Sequence, residues 1–337
     1  MKSNLPALSL GLLLATLTAA PSALAEPIAD FYRGKTVNVL IGVGVGGEYD
    51  IQARLVARHI GKHIPGNPTV VSQNMTGAGG LRMTNYLYGV AAKDGTYIGM
   101  IANAFPALQT AGIQGVQFDA AKLQWIGTIA PVVETIATWH STGVKSIEDV
   151  RKRETVIGAS ARGAITFFYP ALMNELLGTK FKIVTGYTGG NQINLAMERG
   201  EVEARNNTWS SWKATKAAWL KDKLITVIAQ AGPKAPDLDA PSVEGMARNP
   251  EDRQLIELVM SGTQLGRPLA TNAAPPERVA ALRAAFAATM KDPEFLAEAQ
   301  KLNFEVDPVQ GEAMQRIVEK VLATPKLVAA RAKGLLE

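Results

Sequence analysis

TVNVLIGVGVGGEYDIQARLVARHI, residues 36–60, decides the fold. Thr36–Ile41 is apolar and β-branched apart from Asn38, which predicts a buried strand. Gly42–Gly47 holds four glycines in six residues and reads as a turn. From Asp50 to His63, Ile51, Leu55 and Ile60 fall near one face of a helix. Strand, glycine turn and helix make the repeating unit of parallel sheets with right-handed crossovers.

The unit recurs outward from this stretch. Thr69–Gln73 predicts a second strand, Thr76–Gly80 a second glycine turn, Leu81–Val90 a helix and Tyr97–Ile101 a third strand. The rhythm then restarts. Strands are expected at Thr155–Ala159, Phe181–Thr185, Val202–Asn206 and Leu224–Ala229, with helices at Thr166–Leu177, Gln192–Arg199 and Ser210–Leu220. Two such sets, separated by Gln124–His140, predict two α/β lobes with a cleft between them. Gly232–Asn249, rich in Pro, Asp and Ala, reads as a connector. Beyond it, Pro276–Met290, Pro293–Lys301 and Pro308–Leu322 read as helices that each begin at proline, where a missing N–H costs least. The expected division is 26–130 with 240–337 as one lobe and 131–239 as the other, joined by two crossing strands.

Residues 1–25 predict export. Lys2 is the only charge before Glu26, an apolar stretch runs from Leu5 to Ala20, and Ala23-Leu24-Ala25 is a small-x-small cleavage site. Cleavage after Ala25 and a periplasmic location are therefore expected, which disfavours NAD and ATP as ligands. No second hydrophobic span follows. The 337 residues, 47% hydrophobic, suffice for a large core and about two lobes. The absence of cysteine excludes disulfides, thiolate metal sites, a cysteine nucleophile and a lipoprotein anchor. A net charge of +5 is spread without basic runs, which excludes an obvious nucleic-acid surface.

Four loops follow predicted strands: Gly42–Asp50, Met75–Gly80, Ala159–Ala164 and Gly186–Asn191. Glycine lets backbone approach a ligand closely, and the helix N-terminus behind it offers unpaired N–H groups and partial positive charge. In parallel sheets such loops gather at strand C-termini, where ligands bind. Rival motifs are weaker. Gly42-x-Gly44-x-x-Gly47 matches a dinucleotide fingerprint, but the next strand ends in Gln73-Asn74 without its acidic residue. Gly158–Arg162 approaches a nucleophile elbow with arginine in place of the last glycine. Ser210–Lys213 matches S-x-x-K without its companion motifs. His59 and His63 lie four apart on one helix, but no third ligand is evident, and both suit a helix C-terminus. No metal or cofactor is expected. Trp209, after a strand C-terminus, is a candidate cleft residue, since tryptophan covers apolar ligands with a polar edge.

Taken in order, Gly46-Gly47-Glu48-Tyr49-Asp50, Asn74–Gly80 and Asp94-Gly95-Thr96-Tyr97 resemble the substrate-binding proteins of tripartite tricarboxylate transporters, the Bug-type periplasmic receptors. Gly158–Ala164, Gly186–Gly190, Gly200–Glu203 and Pro275–Met290 look like later motifs of the same family, so the resemblance covers nearly the whole exported chain. It implies a two-lobe periplasmic binding protein, type II-like, that closes on a small organic carboxylate and delivers it to membrane transporter subunits, without turnover and as a monomer. The loops clasp the carboxylate in that family. The implied ligand-binding residues are Gly46, Gly47, Glu48, Asp50, Gly77, Ala78, Asn103, Ser160, Arg162, Gly163, Thr166, Tyr187, Gly189, Asn207 and Trp209. Departures from the pattern mark this chain. Glu48 and Arg162 stand where small or apolar residues are usual, Phe167 where histidine is frequent, and Asn207 where aspartate is frequent. Arg162 is expected to meet the ligand or to pair with Glu48 across the cleft. Two alternatives stay open: a receptor docking on a sensor kinase, and an exported α/β hydrolase using Ser160.

Overall fold

The protein is described from a computed structural model covering residues 27–336; the signal-peptide reading lies outside the described residues. Among the described residues there are eleven strands: β1 (Thr36–Ile41), β2 (Thr69–Asn74), β3 (Tyr97–Met100), β4 (Gln124–Thr128), β5 (Glu134–Trp139), β6 (Thr155–Gly158), β7 (Phe181–Val184), β8 (Ala204–Thr208), β9 (Ile225–Ala231), β10 (Leu269–Thr271) and β11 (Val309–Gln310). They form two sheets. One has the order β11-β4-β10-β3-β1-β2 and the other β7-β6-β8-β5-β9. Each sheet, with its covering helices, makes one lobe.

The sheets are mixed rather than purely parallel. The βα units read from the sequence do pair in parallel, β1 with β2 and β3, and β6 with β7 and β8. The strands that follow a lobe crossing run against them. β5 lies antiparallel between β8 and β9, and β10 lies antiparallel between β3 and β4. A strand arriving from the other lobe has no helix of its own to carry it back to the starting edge, so it enters from the opposite end. Gln124–His140, expected as a separator, holds two strands, and the chain changes sheet between Thr128 and Glu134. The return crossing packs beside it. Val132 N–H donates to Thr263 O at 2.8 Å. Gly266 has φ 61°, and a β-carbon there would lie 2.0 Å from Ala130 O, so only glycine lets the two crossings touch.

The helix Glu48–Ile60 buries Leu55, Val56 and Ile60 against the first sheet, together with Phe286 and Phe295. A second cluster runs from Phe105 and Leu108 to Phe168 and Leu172 of the other lobe. The helices Pro250–Met260 and Lys326–Gly334, in the segment 240–337 assigned from the sequence to the first lobe, rest against each other, and Pro250–Met260 also packs on Ile165–Leu177 of the second. Pro250–Met260 was not anticipated from the sequence. Asn249 caps it, accepting from Asp252 N–H, and Pro250 occupies its first turn. Among the described residues, no helix is long and apolar enough to cross a membrane.

Candidate functional site

The glycine loops converge between the sheets. Within the first lobe they lie backbone on backbone, since a β-carbon on Gly42 would fall 2.6 Å from Gly80 Cα. Across the lobes, Gly44 N–H donates to Thr188 O at 3.0 Å. The lobes are thus in contact, and they enclose a cavity of about 90 Å³. That is room for several waters or a small acid.

Of the residues expected at the ligand, Gly46, Gly47, Glu48, Asn103, Ser160, Thr166, Gly189 and Asn207 line this cavity. The others lie elsewhere. Asp50 shapes the first loop: it accepts from Gly46 N–H at 3.0 Å and Asn74 Nδ2 at 2.9 Å, and pairs with Arg54. Ala78, Arg162 and Gly163 line a separate groove with Lys333 and Leu336. Gly77 faces the Arg82 side chain. Tyr187 packs beside Gly158 and the tryptophan cluster of the second lobe. Trp209 donates from Nε1 to Asp237 at 2.8 Å in another surface groove.

Arg162 does not pair with Glu48. It is exposed, its Nη1 donates to Leu336 O at 2.9 Å, and its guanidinium lies 5.4 Å from the Phe167 ring centre. Glu48 belongs to Arg267 instead. Nε and Nη2 of Arg267 donate to Glu48 Oε2 at 2.9 and 2.6 Å. Thr208 Oγ1 donates to the same oxygen at 2.5 Å, and Ser210 Oγ donates to Oε1. Glu48 and Arg267 are each 5% exposed. The Arg267 guanidinium also stacks 4.2 Å from the Tyr49 ring centre. Burial works to lower its pKa, but Glu48, Tyr49 and Glu134 outweigh it and hold Arg267 above its ordinary value. The Tyr49 hydroxyl, raised by burial, donates to Asn103 Oδ1 and accepts from Asn103 N–H.

Three charged residues of the cavity wall escaped the sequence reading: Glu134, Arg205 and Arg267. Arg205 is 3% exposed, and its described partners are neutral oxygens. Nη1 donates to Gly190 O and Asn194 Oδ1, both at 2.6 Å, and Nε donates to Asn206 O. Its guanidinium lies 5.2 Å from the Trp212 ring centre. Burial pulls its pKa down to about 9, against the pull of Glu134 and Glu48, so it is still cationic at neutral pH. Glu134 is 1% exposed. Oε2 accepts from Asn206 Nδ2 at 2.8 Å, while Oε1 has no hydrogen-bond partner and lies 3.8 Å from Arg267 Nη1. Burial raises its pKa, and Arg267 moderates the rise. The strand Ala204–Thr208 carried a usable signal: ARNNT is a polar run inside a strand that is buried throughout. Arg267, beside Pro268 ahead of a three-residue strand, carried none.

Ser160 has no base. Its hydroxyl lies 3.2 Å from Thr166 Oγ1, and among the described residues no histidine lines the cavity. His59 and His63 sit on the far helix surface, 2.7 Å from Glu298 and 2.8 Å from Asp292. Ligand-capable atoms of His59, Asp292 and Glu294 lie within 4.8 Å of one another, but the Lys62 ammonium is 2.6 Å from both carboxylates. That arrangement is an ion-pair network joining two helices.

This geometry defines a class: a two-lobe periplasmic binding protein fold. Its solved neighbours include periplasmic binding proteins. BugD, a periplasmic binding protein, matches with a TM-score of 0.72 at 20% identity, over 90% of this chain and 98% of that one. MatC of Rhodopseudomonas palustris with bound malate matches at 0.69 and 16%, over 90% and 99%. R. palustris Rpa4515 with adipate matches at 0.69 and 20%, over 89% and 97%. At these identities the likeness establishes the fold. No family model matches the chain, and no curated protein matches its sequence.

Proposed function

We propose that this chain is an extracytoplasmic solute-binding protein that captures a small organic carboxylate in the interlobe cavity and delivers it to the membrane subunits of a tripartite tricarboxylate-type transporter. The observation that carries this reading is Arg205. It is a buried cation on the cavity wall whose described hydrogen-bond partners are neutral oxygens, where glycine loops of both lobes meet. A buried charge without a counter-ion is costly, and a ligand carboxylate would supply one. Ser160, Thr166 and Asn207 add short polar groups around the same space. Malate and adipate, named with two of the structural neighbours, are acids of the proposed kind. No catalytic role is assigned to any residue, because the cavity holds no nucleophile paired with a base. The protein acts as a monomer in the periplasm after removal of the export signal.

Thermal unfolding of the purified protein against a panel of carboxylates tests the reading. A ligand at a hundred times its Kd stabilises by about 2.7 kcal/mol. At least one carboxylate should raise Tm in proportion to the logarithm of its concentration. A panel of mono-, di- and tricarboxylates that leaves Tm unmoved would overturn the assignment.

A further inference from the structure

The cavity has a second pole. After Glu48 and Arg267 have paired, the remaining charges on its wall are Arg205 and Glu134, one of each sign. Glu134 Oε1 is fully buried and has no hydrogen-bond partner, and the buried Asn207 Nδ2 likewise has none. An acceptor and a donor, on residues each more than nine-tenths buried, therefore belong to the wall of a cavity that glycine backbone shares with larger side chains such as Tyr49, Met100 and Ile165. Native proteins satisfy nearly all such groups, and the rare exceptions need a reason.

We propose that Glu134 makes the site select a carboxylate that also carries a hydrogen-bond donor on a neighbouring carbon, an ammonium group above all. The proposal rests on the carboxylate reading. The ligand's carboxylate then meets Arg205 and Asn207 Nδ2, and its donor meets Glu134 Oε1. A zwitterion matches Arg205 and the Glu134 oxygen that lacks a hydrogen bond, pole for pole, with Arg267 3.8 Å from that oxygen. An acid with hydrogen at that carbon leaves the buried acceptor unpaired, and an acid with a keto oxygen there sets two acceptors against each other. Discrimination is strong when the wrong ligand strands a buried polar group.

Calorimetric titration of the full protein with two matched series tests this: propionate, lactate and alanine, and succinate, malate and aspartate. Within at least one series, the amino acid should bind at least tenfold more tightly than the unsubstituted acid, with the hydroxy acid between them. Glu134→Gln removes the charge and keeps the shape. With its amide oxygen held by Asn206, its amide nitrogen faces the cavity, so the order within the series should flatten or invert. A thermal melt of the variant without ligand confirms folding. No tenfold preference for the amino acid in either series, or a Glu134→Gln variant that keeps the wild-type order, overturns the proposal and leaves the carboxylate reading standing. Failure of every acid in both series and in the wider panel overturns both.

Discussion

Glu48 is the most informative residue to remove. Its carboxylate takes two N–H groups of Arg267 on one oxygen, hydroxyl bonds from Thr208 and Ser210, and an amide bond from Gln52 at 3.3 Å. Glu48→Ala leaves the Arg267 guanidinium 95% buried, with Glu134 3.8 Å away as its nearest described carboxylate. Breaking one side of a buried pair costs about 3–5 kcal/mol, most of it from the stranded partner. At about 2 °C per kcal/mol for a chain of this size, Tm should fall by roughly 6–10 °C. Arg267→Ala strands Glu48 beside Glu134 and should cost a similar amount. The double variant strands no charge in this pair, so it should be no worse than either single, with a coupling of about 2–3 kcal/mol in a double-mutant cycle. Reversible urea unfolding of the four proteins measures this. Singles that each lose under about 1 kcal/mol and simply add would refute the idea that the pair is buried and mutually dependent.

The remaining predictions concern the cavity and the surface. Arg205→Gln should weaken carboxylate binding by roughly 10- to 150-fold, the value of a charge-assisted contact of about 1.5–3 kcal/mol; calorimetry showing unchanged affinity would place the anion elsewhere. Arg162→Ala should leave affinity within about twofold, because exposed charges contribute little; a loss above tenfold would put its guanidinium on the ligand. Thr208→Val should raise the open fraction of the unliganded protein, seen as a larger radius of gyration by small-angle scattering, and an unchanged radius would deny the Thr208–Glu48 bond any part in closure. Stability should fall on acidification. Asp252, Asp292 and Glu298 have lowered pKa values, Asp252 and Glu298 mainly through arginine partners and Asp292 through Lys62 and His63, so their contribution is complete above the ordinary carboxylate range and is lost below about pH 4. Glu134, raised by burial, opposes this, since its native form gains protons first as pH falls. Melts between pH 7 and 3 that stay flat would contradict the balance, and Asp252→Asn should shallow the slope.

What the sequence disclosed was what short-range pattern encodes. Thr36–Ile41 and Phe181–Val184 are visible because apolar, β-branched runs meet turn residues at their ends. Val309–Gln310 and Leu269–Thr271 were invisible, because two or three residues show no period. Their place in the sheet comes from β4 and β3, which lie far away in the chain. The same limit governs the site. Glycine loops advertise themselves locally, and Gly46, Gly47, Ser160 and Gly189, read from them, line the cavity. Arg267 reaches Glu48 across 219 positions and Asn206 reaches Glu134 across 72, distances at which no motif operates. Arg162 is a related case. A cation in a glycine loop looks like an anion contact, and one of its described partners is Leu336 O, 174 positions along the chain.

Glu48 looked like a flaw in an anion-binding loop, and its partners give it another role. Arg267 immediately precedes β10 and so sits with the first sheet, as does the helix that begins at Glu48. Thr208 and Ser210 belong to the second lobe. Parting the lobes would therefore break the two hydroxyl bonds and the Gly44–Thr188 bond while leaving the buried ion pair intact. The Glu48 charge stays neutralised in either state, whereas Glu134 of the second sheet would part from Arg267, 3.8 Å away. The hydrogen bonds that must break, the Arg267–Thr208 contact included, are ones whose groups water can serve, each with a net value of about 0.5–3 kcal/mol. A ligand that contacts both lobes would then shift the population toward the closed form. A negative residue in the loop is thus compatible with anion capture. It is neutralised within its own lobe, it gives the second lobe something to grip, and it leaves Arg205 as the cation without a carboxylate partner on the cavity wall.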